Sequence, residues 1–179
     1  MLFLKMPTNK KQIFFIVLII AIVIIAKLFY QTATNNDLIF LLLPVTFIIE
    51  VFSLSNAVFS PQNGYFFANL NIIIDKSCAG FNFWIITFSV MAFLLIIKTK
   101  NVKMNFFYII MAVFLSYGLT IFANSSRIFT LLFTDIYFKQ FSNKIWFHEA
   151  VGVFVYLFVL ISAYLFLDFI LKKHYEKCS

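Results

Sequence analysis

The sequence predicts an all-α polytopic membrane protein with about five transmembrane helices and a short β-like hairpin before the third span. Composition is the first sign. Of 179 residues, 63% are hydrophobic and only 12% charged, at a mean hydropathy of +0.99. A soluble domain carries about 45–50% apolar and about 25% charged residues. The second sign is the spacing of apolar runs, each near the roughly 20 residues that cross about 30 Å of hydrocarbon. The third is a turn-rich interruption between the second and third runs.

The runs extend from about Ile13 to Tyr30, Leu38 to Phe59, Phe81 to Ile97, Met104 to Ala123 and Val151 to Leu171. The first exceeds the roughly 7–15 apolar residues of a signal peptide, and no small-residue cleavage site follows it. Ser60 to Ser77 contains Pro61, Asn63-Gly64, Asn69 and then Asn71-Ile72-Ile73-Ile74-Asp75. Turn residues around β-branched and aromatic runs predict a hairpin at the membrane surface. Arg127 to Phe147 includes Asp135, Lys139, Gln140, Asn143 and Lys144. That stretch reads as an interfacial helix and loop. The alternative, a sixth tilted span, would put Arg127 and His148 on opposite faces. There is no internal repeat and no soluble module, so residues 1–179 form one integral-membrane domain. The 27 phenylalanines read as lipid-facing or packing surface.

The net charge of +7 does not point to nucleic acid. Its lysines cluster beside apolar runs, where they anchor helix ends against membrane lipid and bias orientation. Lys98, Lys100 and Lys103 lie between the third and fourth spans, and Lys172, Lys173 and Lys177 follow the fifth. Two hairpins of helices then bring the start of the third span, the end of the fourth and the start of the fifth to the opposite, extracytoplasmic face. The N-terminal lysines Lys5, Lys10 and Lys11 fall on that face too if five spans cross. Over the whole chain the basic residues are therefore tied, and the tight C-terminal clusters set the orientation.

Three rare residues converge on the extracytoplasmic face. Arg127 is the only arginine among 14 basic residues. Cys78 precedes the third span, and His148 precedes the fifth. A guanidinium cannot be deprotonated and offers a rigid fork of donors, which suits an oxyanion or a carbonyl better than lysine does. A cysteine at a helix start meets the positive end of the macrodipole, which favours thiolate. An imidazole can take a thiol proton and return one to a leaving amine. Asn124 stands three residues before Arg127, on the same helix face, where it can orient the guanidinium or a peptide. Together these are the parts of a thiol-dependent acyl-transfer site.

Each residue also has an ordinary reading. Cys78 can be a small core residue, His148 an interfacial anchor paired with Glu149, and Arg127 a side chain snorkelling to headgroups. Joint placement on one face argues against all three. Glu50 lies within the second span, six residues after Pro44, and an acid there is a functional candidate; a structural or substrate-binding role fits it better than a catalytic one. Asp75-Lys76 reads as a local surface pair or a support for the loop before Cys78. His174 and Cys178 belong to a basic tail and read as solvated. There is no C-x-x-C motif, so a dithiol redox function is not indicated. No spacing of His, Cys and Asp suits a metal, and no cofactor is called for.

Cys78-Ala79-Gly80, Asn124-Ser125-Ser126-Arg127 and His148-Glu149-Ala150-Val151-Gly152, in this order, resemble the motifs of the exosortase/archaeosortase family of membrane transpeptidases. The resemblance covers roughly Leu38 to Leu171, and the short length is most similar to a compact, exosortase K-like branch. Ala79 departs from the usual serine; Gly80 matches. The resemblance implies a cysteine peptidase and transpeptidase in the bacterial cytoplasmic membrane, with Cys78, Arg127 and His148 catalytic and Asn124, Gly80 and Glu50 in support. Its substrates would be secreted proteins ending in a short motif, a transmembrane helix and a basic tail. The rival class is a small-molecule-binding transporter subunit of the vitamin-uptake S-component type, which would not depend on a thiol. A structural membrane subunit is a third reading.

Overall fold

The computed structural model describes residues 10–98, 102–137 and 145–177; within these, the side chains at 11, 98, 102–105, 145, 148 and 174–177 lie outside the description. The described chain is mostly helical: α1 (Lys10–Thr32), α2 (Ile39–Ser53), α3 (Phe81–Lys98), α4 (Val102–Tyr137) and α5 (Ile145–Lys177). Between α2 and α3 lie strands β1 (Val58–Ser60), β2 (Gly64–Phe67) and β3 (Ile72–Ile74), then a 3-10 turn over Lys76–Cys78. Four of the described helices are long and apolar enough to cross a membrane: α1, α3, α4 and α5. The molecule is therefore a helical membrane protein. Apolar side chains exposed on its outer helices, such as Phe154, Phe158 and Phe166 on α5, suit a lipid surround, whose tails are as apolar as they are.

The second apolar run departs from the expected span. Its helix has 15 residues, about 22 Å at about 1.5 Å per residue, short of the roughly 30 Å hydrocarbon thickness. Leu54 ends it in the left-handed conformation at φ 51°. The remainder of that run becomes strand, because a short apolar sequence with Val and Phe serves either state. Pro44 lies inside α2 and cannot donate to the carbonyl four residues earlier. That carbonyl, on Phe40, instead accepts from the Tyr117 hydroxyl of α4 at 2.6 Å. Before α2, the backbone N–H and hydroxyl of Thr34 both donate to Asp37 Oδ2 at 2.8 Å. These bonds hold the Asp37 carboxyl below the usual carboxylate range.

The expected hairpin is a three-stranded antiparallel sheet in the order β1-β2-β3. Ser60 pairs with Gly64 across a three-residue loop, and Phe67 pairs with Ile72 across a four-residue loop. Gly64 has a φ of 81°, and a Cβ there would stand 2.4 Å from the Ile74 carbonyl oxygen, so only glycine fits. Phe67 and Ile74 turn inward onto Leu41, Leu42, Val45 and Ile49 of α2, forming the core at the Cys78 end of the molecule. A second core, with Phe88, Met91, Leu95 and Ile96 of α3, lies toward the lysine-cluster end.

The fourth helix also differs from expectation. It does not end at Arg127 but runs on to Tyr137, 36 residues or about 54 Å in all. Ser126 and Thr130 each return a side-chain bond of 2.8 Å to the carbonyl four residues earlier. Their polarity is thus absorbed by the helix itself.

Candidate functional site

Helix α4 meets α3 through a buried stripe of small residues. Ala112, Ser116, Thr120 and Asn124 recur every four residues and are all fully buried, an arrangement that lets two helix backbones approach closely. Asn124 is the last step of the stripe and meets the chain where α3 begins. A Cβ at Gly80 would stand 3.2 Å from Thr120 Cγ2 and 3.5 Å from Asn124 Cγ. Gly80 also has a φ of 69°, so both conformation and space select glycine. Its carbonyl accepts from Trp84 N–H at 3.0 Å, which makes it the cap of α3.

Cys78 precedes the third helix, which starts at Phe81 as expected. The cysteine closes the 3-10 turn over Lys76–Cys78, three residues before Phe81. That turn is held from several sides. Asp75 caps it, accepting from Ser77 N–H at 3.0 Å and from the Ser77 hydroxyl at 2.6 Å. Cys78 N–H donates to the Asp75 carbonyl at 2.9 Å. Lys76 Nζ donates to the carbonyls of Gln31 and Ala33 at 3.2 and 2.7 Å, tying the turn to the C-terminal end of α1. Asp75 and Lys76 thus support the Cys78 loop. Buried Asn35 adds a third tie, accepting from Lys76 N–H at 2.8 Å while its amide donates to the Pro61 and Gln62 carbonyls at 3.1 Å.

Asn124 then fixes the cysteine itself: its side-chain amide donates to the Cys78 carbonyl. Its Oδ1 accepts from the Tyr156 hydroxyl of α5 at 2.9 Å. The Tyr156 ring stacks on Phe83 of α3, centroids 4.6 Å apart. The Arg127 guanidinium carbon lies 5.8 Å from the centre of the same ring, a cation–π distance. Gly152 makes room for the arginine, since a Cβ there would stand 2.9 Å from Arg127 Nε. That nitrogen is buried and has no hydrogen-bond partner among the described residues.

Cys78 and Arg127 line one cavity of about 350 Å³. Five successive residues, Leu70 to Ile74, form one wall; Arg127, Ile128, Leu131, Leu132 and Asp135 of α4 form the other. The half-buried cysteine has its Sγ 3.8 Å from Ser77 Oγ. A thiol and a guanidinium on one cavity can respectively attack a carbonyl carbon and stabilise the oxygen that becomes negative.

The other expected site residues are placed as follows. His148 lies in the first turn of α5, with its side chain outside the described residues. Position 148 is one helical turn before Gly152 in the chain. Glu50 stands apart from the residues that line the cavity. Its Oε1 accepts from Ala57 N–H at 2.8 Å, fastening the chain between α2 and β1, a structural role. Burial, with the Glu50 charge adding, raises the pKa of the nearby Tyr65 hydroxyl above its ordinary value. Cys178 lies outside the described residues.

Tyr156 was missed in the sequence, yet a signal was there. His148, Gly152 and Tyr156 repeat every four residues on α5 and share a face. No protein family, curated protein or solved structure compared with this chain matches it.

Proposed function

We propose that the protein is a membrane-embedded cysteine peptidase and transpeptidase that cleaves C-terminal sorting signals of secreted proteins at the outer face of a bacterial cytoplasmic membrane. One observation carries this reading: Cys78 and the lone arginine line the same cavity, with the Cys78 backbone fixed by Asn124. A core cysteine and a snorkelling arginine have no reason to share a cavity wall.

In the proposed reaction, the Cys78 thiol gives its proton to His148. The thiolate then attacks the scissile carbonyl carbon, forming a C–S bond, and Arg127 stabilises the oxyanion. Collapse of the tetrahedral intermediate breaks the C–N bond, and His148 protonates the leaving amine. An acceptor amine then attacks the thioester, giving a proton to His148, and expels the Cys78 thiolate, which takes that proton back and regenerates the enzyme. The substrate's transmembrane helix enters from the lipid, and its basic tail lies on the side of the lysine clusters.

The test is processing of a co-expressed secreted protein that ends in a transmembrane helix and basic tail. Cys78→Ala and Cys78→Ser should abolish cleavage, and Cys178→Ala should leave it near normal. Undiminished cleavage by Cys78→Ala would overturn the reading.

A further inference from the structure

The cavity beside Cys78 is built as a slot for an extended chain. In a strand, successive side chains point to opposite faces. A cavity on one face of β3 would therefore be lined by alternate residues. This one is lined by all three β3 residues, Ile72, Ile73 and Ile74, together with Leu70 and Asn71 of the turn before them, so it runs along the edge of the strand. Ile74 is buried and Ile73 is exposed, as expected for the two opposite faces. β3 is the last strand in the order β1-β2-β3, and β2 is its only strand partner among the described residues. An edge strand presents a row of backbone donors and acceptors.

The slot has a sheet-side wall and a helix wall. On the sheet side, Ile72 to Ile74 is strand and spans about 7 Å at about 3.3 Å per residue, while Leu70 and Asn71 belong to the turn before it, Asn71 with a φ of 52°. Across the slot, Arg127 to Asp135 spans about 12 Å at about 1.5 Å per helix residue. The helix wall between those two ends is Ile128, Leu131 and Leu132. Arg127 and Cys78 both border the slot. It therefore offers hydrogen bonds on one side, an apolar surface on the other and a nucleophile with a cation among its lining residues.

We infer that β3 binds the polypeptide substrate by strand addition: an extended, mainly apolar segment of about four residues pairs with the free β3 edge as a fourth strand and delivers its scissile carbonyl to Cys78. This rests on the proposed peptidase function and adds how its substrate is held. Main-chain pairing supplies most of the binding, and only alternate side chains meet the α4 wall. Recognition is therefore tolerant of sequence but intolerant of backbone change.

The test uses the full-length Cys178→Ala protein in lipid nanodiscs, with Cys78 as the reporter thiol. The probe is acetyl-Val-Thr-Val-Ala-chloromethylketone, and acetyl-Ala-chloromethylketone is the reference with the same electrophile. Alkylation forms a C–S bond to Cys78 and releases chloride, with no turnover required. The longer probe should alkylate Cys78 faster. N-methylation of its amides, one at a time, should remove that gain in a two-residue rhythm, each sensitive position losing about tenfold for a lost strand hydrogen bond. Hydrogen exchange of the alkylated protein should show new protection within Ile72–Ile74. Equal alkylation by both probes, a uniform response to N-methylation, or unprotected β3 amides would each overturn strand addition. Strand addition seen by alkylation, without processing of any secreted substrate, would instead count against the peptidase reading.

Discussion

The Tyr156 hydroxyl donates to Asn124 Oδ1 at 2.9 Å, and this bond joins α5 to the α4 residue that holds the turn carrying Cys78. Asn124 is fully buried, and its amide donates onward to the Cys78 carbonyl. The tyrosine ring also lies beneath Arg127. Residues from α4, α5 and the 3-10 turn are thus set in register by two side chains. Neither has to take part in bond making to decide where the thiol and the guanidinium stand.

Tyr156→Phe keeps the ring, its stack on Phe83 and its contact with Arg127, and deletes only the donor. Leaving a buried acceptor unsatisfied costs about 1–3 kcal/mol. The apparent unfolding midpoint in detergent should fall, and processing should fall with it. Tyr156→Leu should lose more, because the ring contacts go too. A Tyr156→Phe protein with unchanged midpoint and unchanged processing would mean that the bond contributes nothing.

Gly152→Ala adds one methyl group to α5, where alanine is otherwise the better helix former. Its Cβ would stand 2.9 Å from Arg127 Nε, so the guanidinium has to move. We expect normal accumulation, equal or higher thermal stability and strongly reduced processing. Gly118, also within α4, has open space around it. Gly118→Ala is the control and should process normally.

Glu50 is expected to stabilise the fold rather than act on substrate. Its Oε1 accepts from Ala57 N–H, and glutamine offers a carbonyl oxygen in the same place. Glu50→Gln should therefore process substrate normally. Glu50→Ala should lower the unfolding midpoint by an amount corresponding to about 1–3 kcal/mol for an orphaned backbone donor. Loss of processing in Glu50→Gln at native stability would assign the carboxylate a chemical role.

Helix length is enough to set the two ends of α4 on opposite sides of a membrane. Lys103 and Arg127 are 24 residues apart on α4, about 36 Å at about 1.5 Å per residue, which exceeds the roughly 30 Å hydrocarbon thickness. His148 and Lys172 are the same distance apart on α5. In intact cells, a membrane-impermeant thiol reagent should label Asn143→Cys and spare Lys100→Cys, each made in a Cys78→Ala, Cys178→Ala background. The reverse pattern would invert the topology.

Spanning helices were legible in the sequence because lipid demands long apolar runs and leaves little choice of structure. The boundaries were less so. Hydropathy does not reveal that Leu54 turns left-handed and hands Val58–Ser60 to a sheet. Nor does it reveal that Ser126 and Thr130 bond back to their own helix and let α4 continue past Arg127. Cys78 and Arg127 stood out by rarity. Their sharing of a cavity depended on Asn35 and Lys76, whose bonds join segments 26 to 45 residues apart in sequence. Such distant ties leave no local pattern to read.

Arg127→Lys is the sharpest test of the lone arginine. Lysine keeps the positive charge and can snorkel to the same headgroups, so a purely anchoring role predicts a silent substitution. A fork that stabilises an oxyanion is different: lysine is a flexible point charge that cannot place two parallel donors. The surroundings sharpen the contrast. Arg127 Nε packs where Gly152 leaves room, and the guanidinium faces the Tyr156 ring; both arrangements fit a planar group. Removing one oxyanion donor costs about 2.7–4 kcal/mol, roughly a hundred- to a thousandfold in rate. We expect Arg127→Lys to insert and accumulate normally while processing substrate at least about a hundredfold more slowly. Iodoacetamide should still alkylate Cys78 in this variant, since the cavity remains open. Processed over unprocessed substrate at matched protein level is the measurement. Near-native processing by Arg127→Lys would reduce the only arginine of the chain to a membrane anchor.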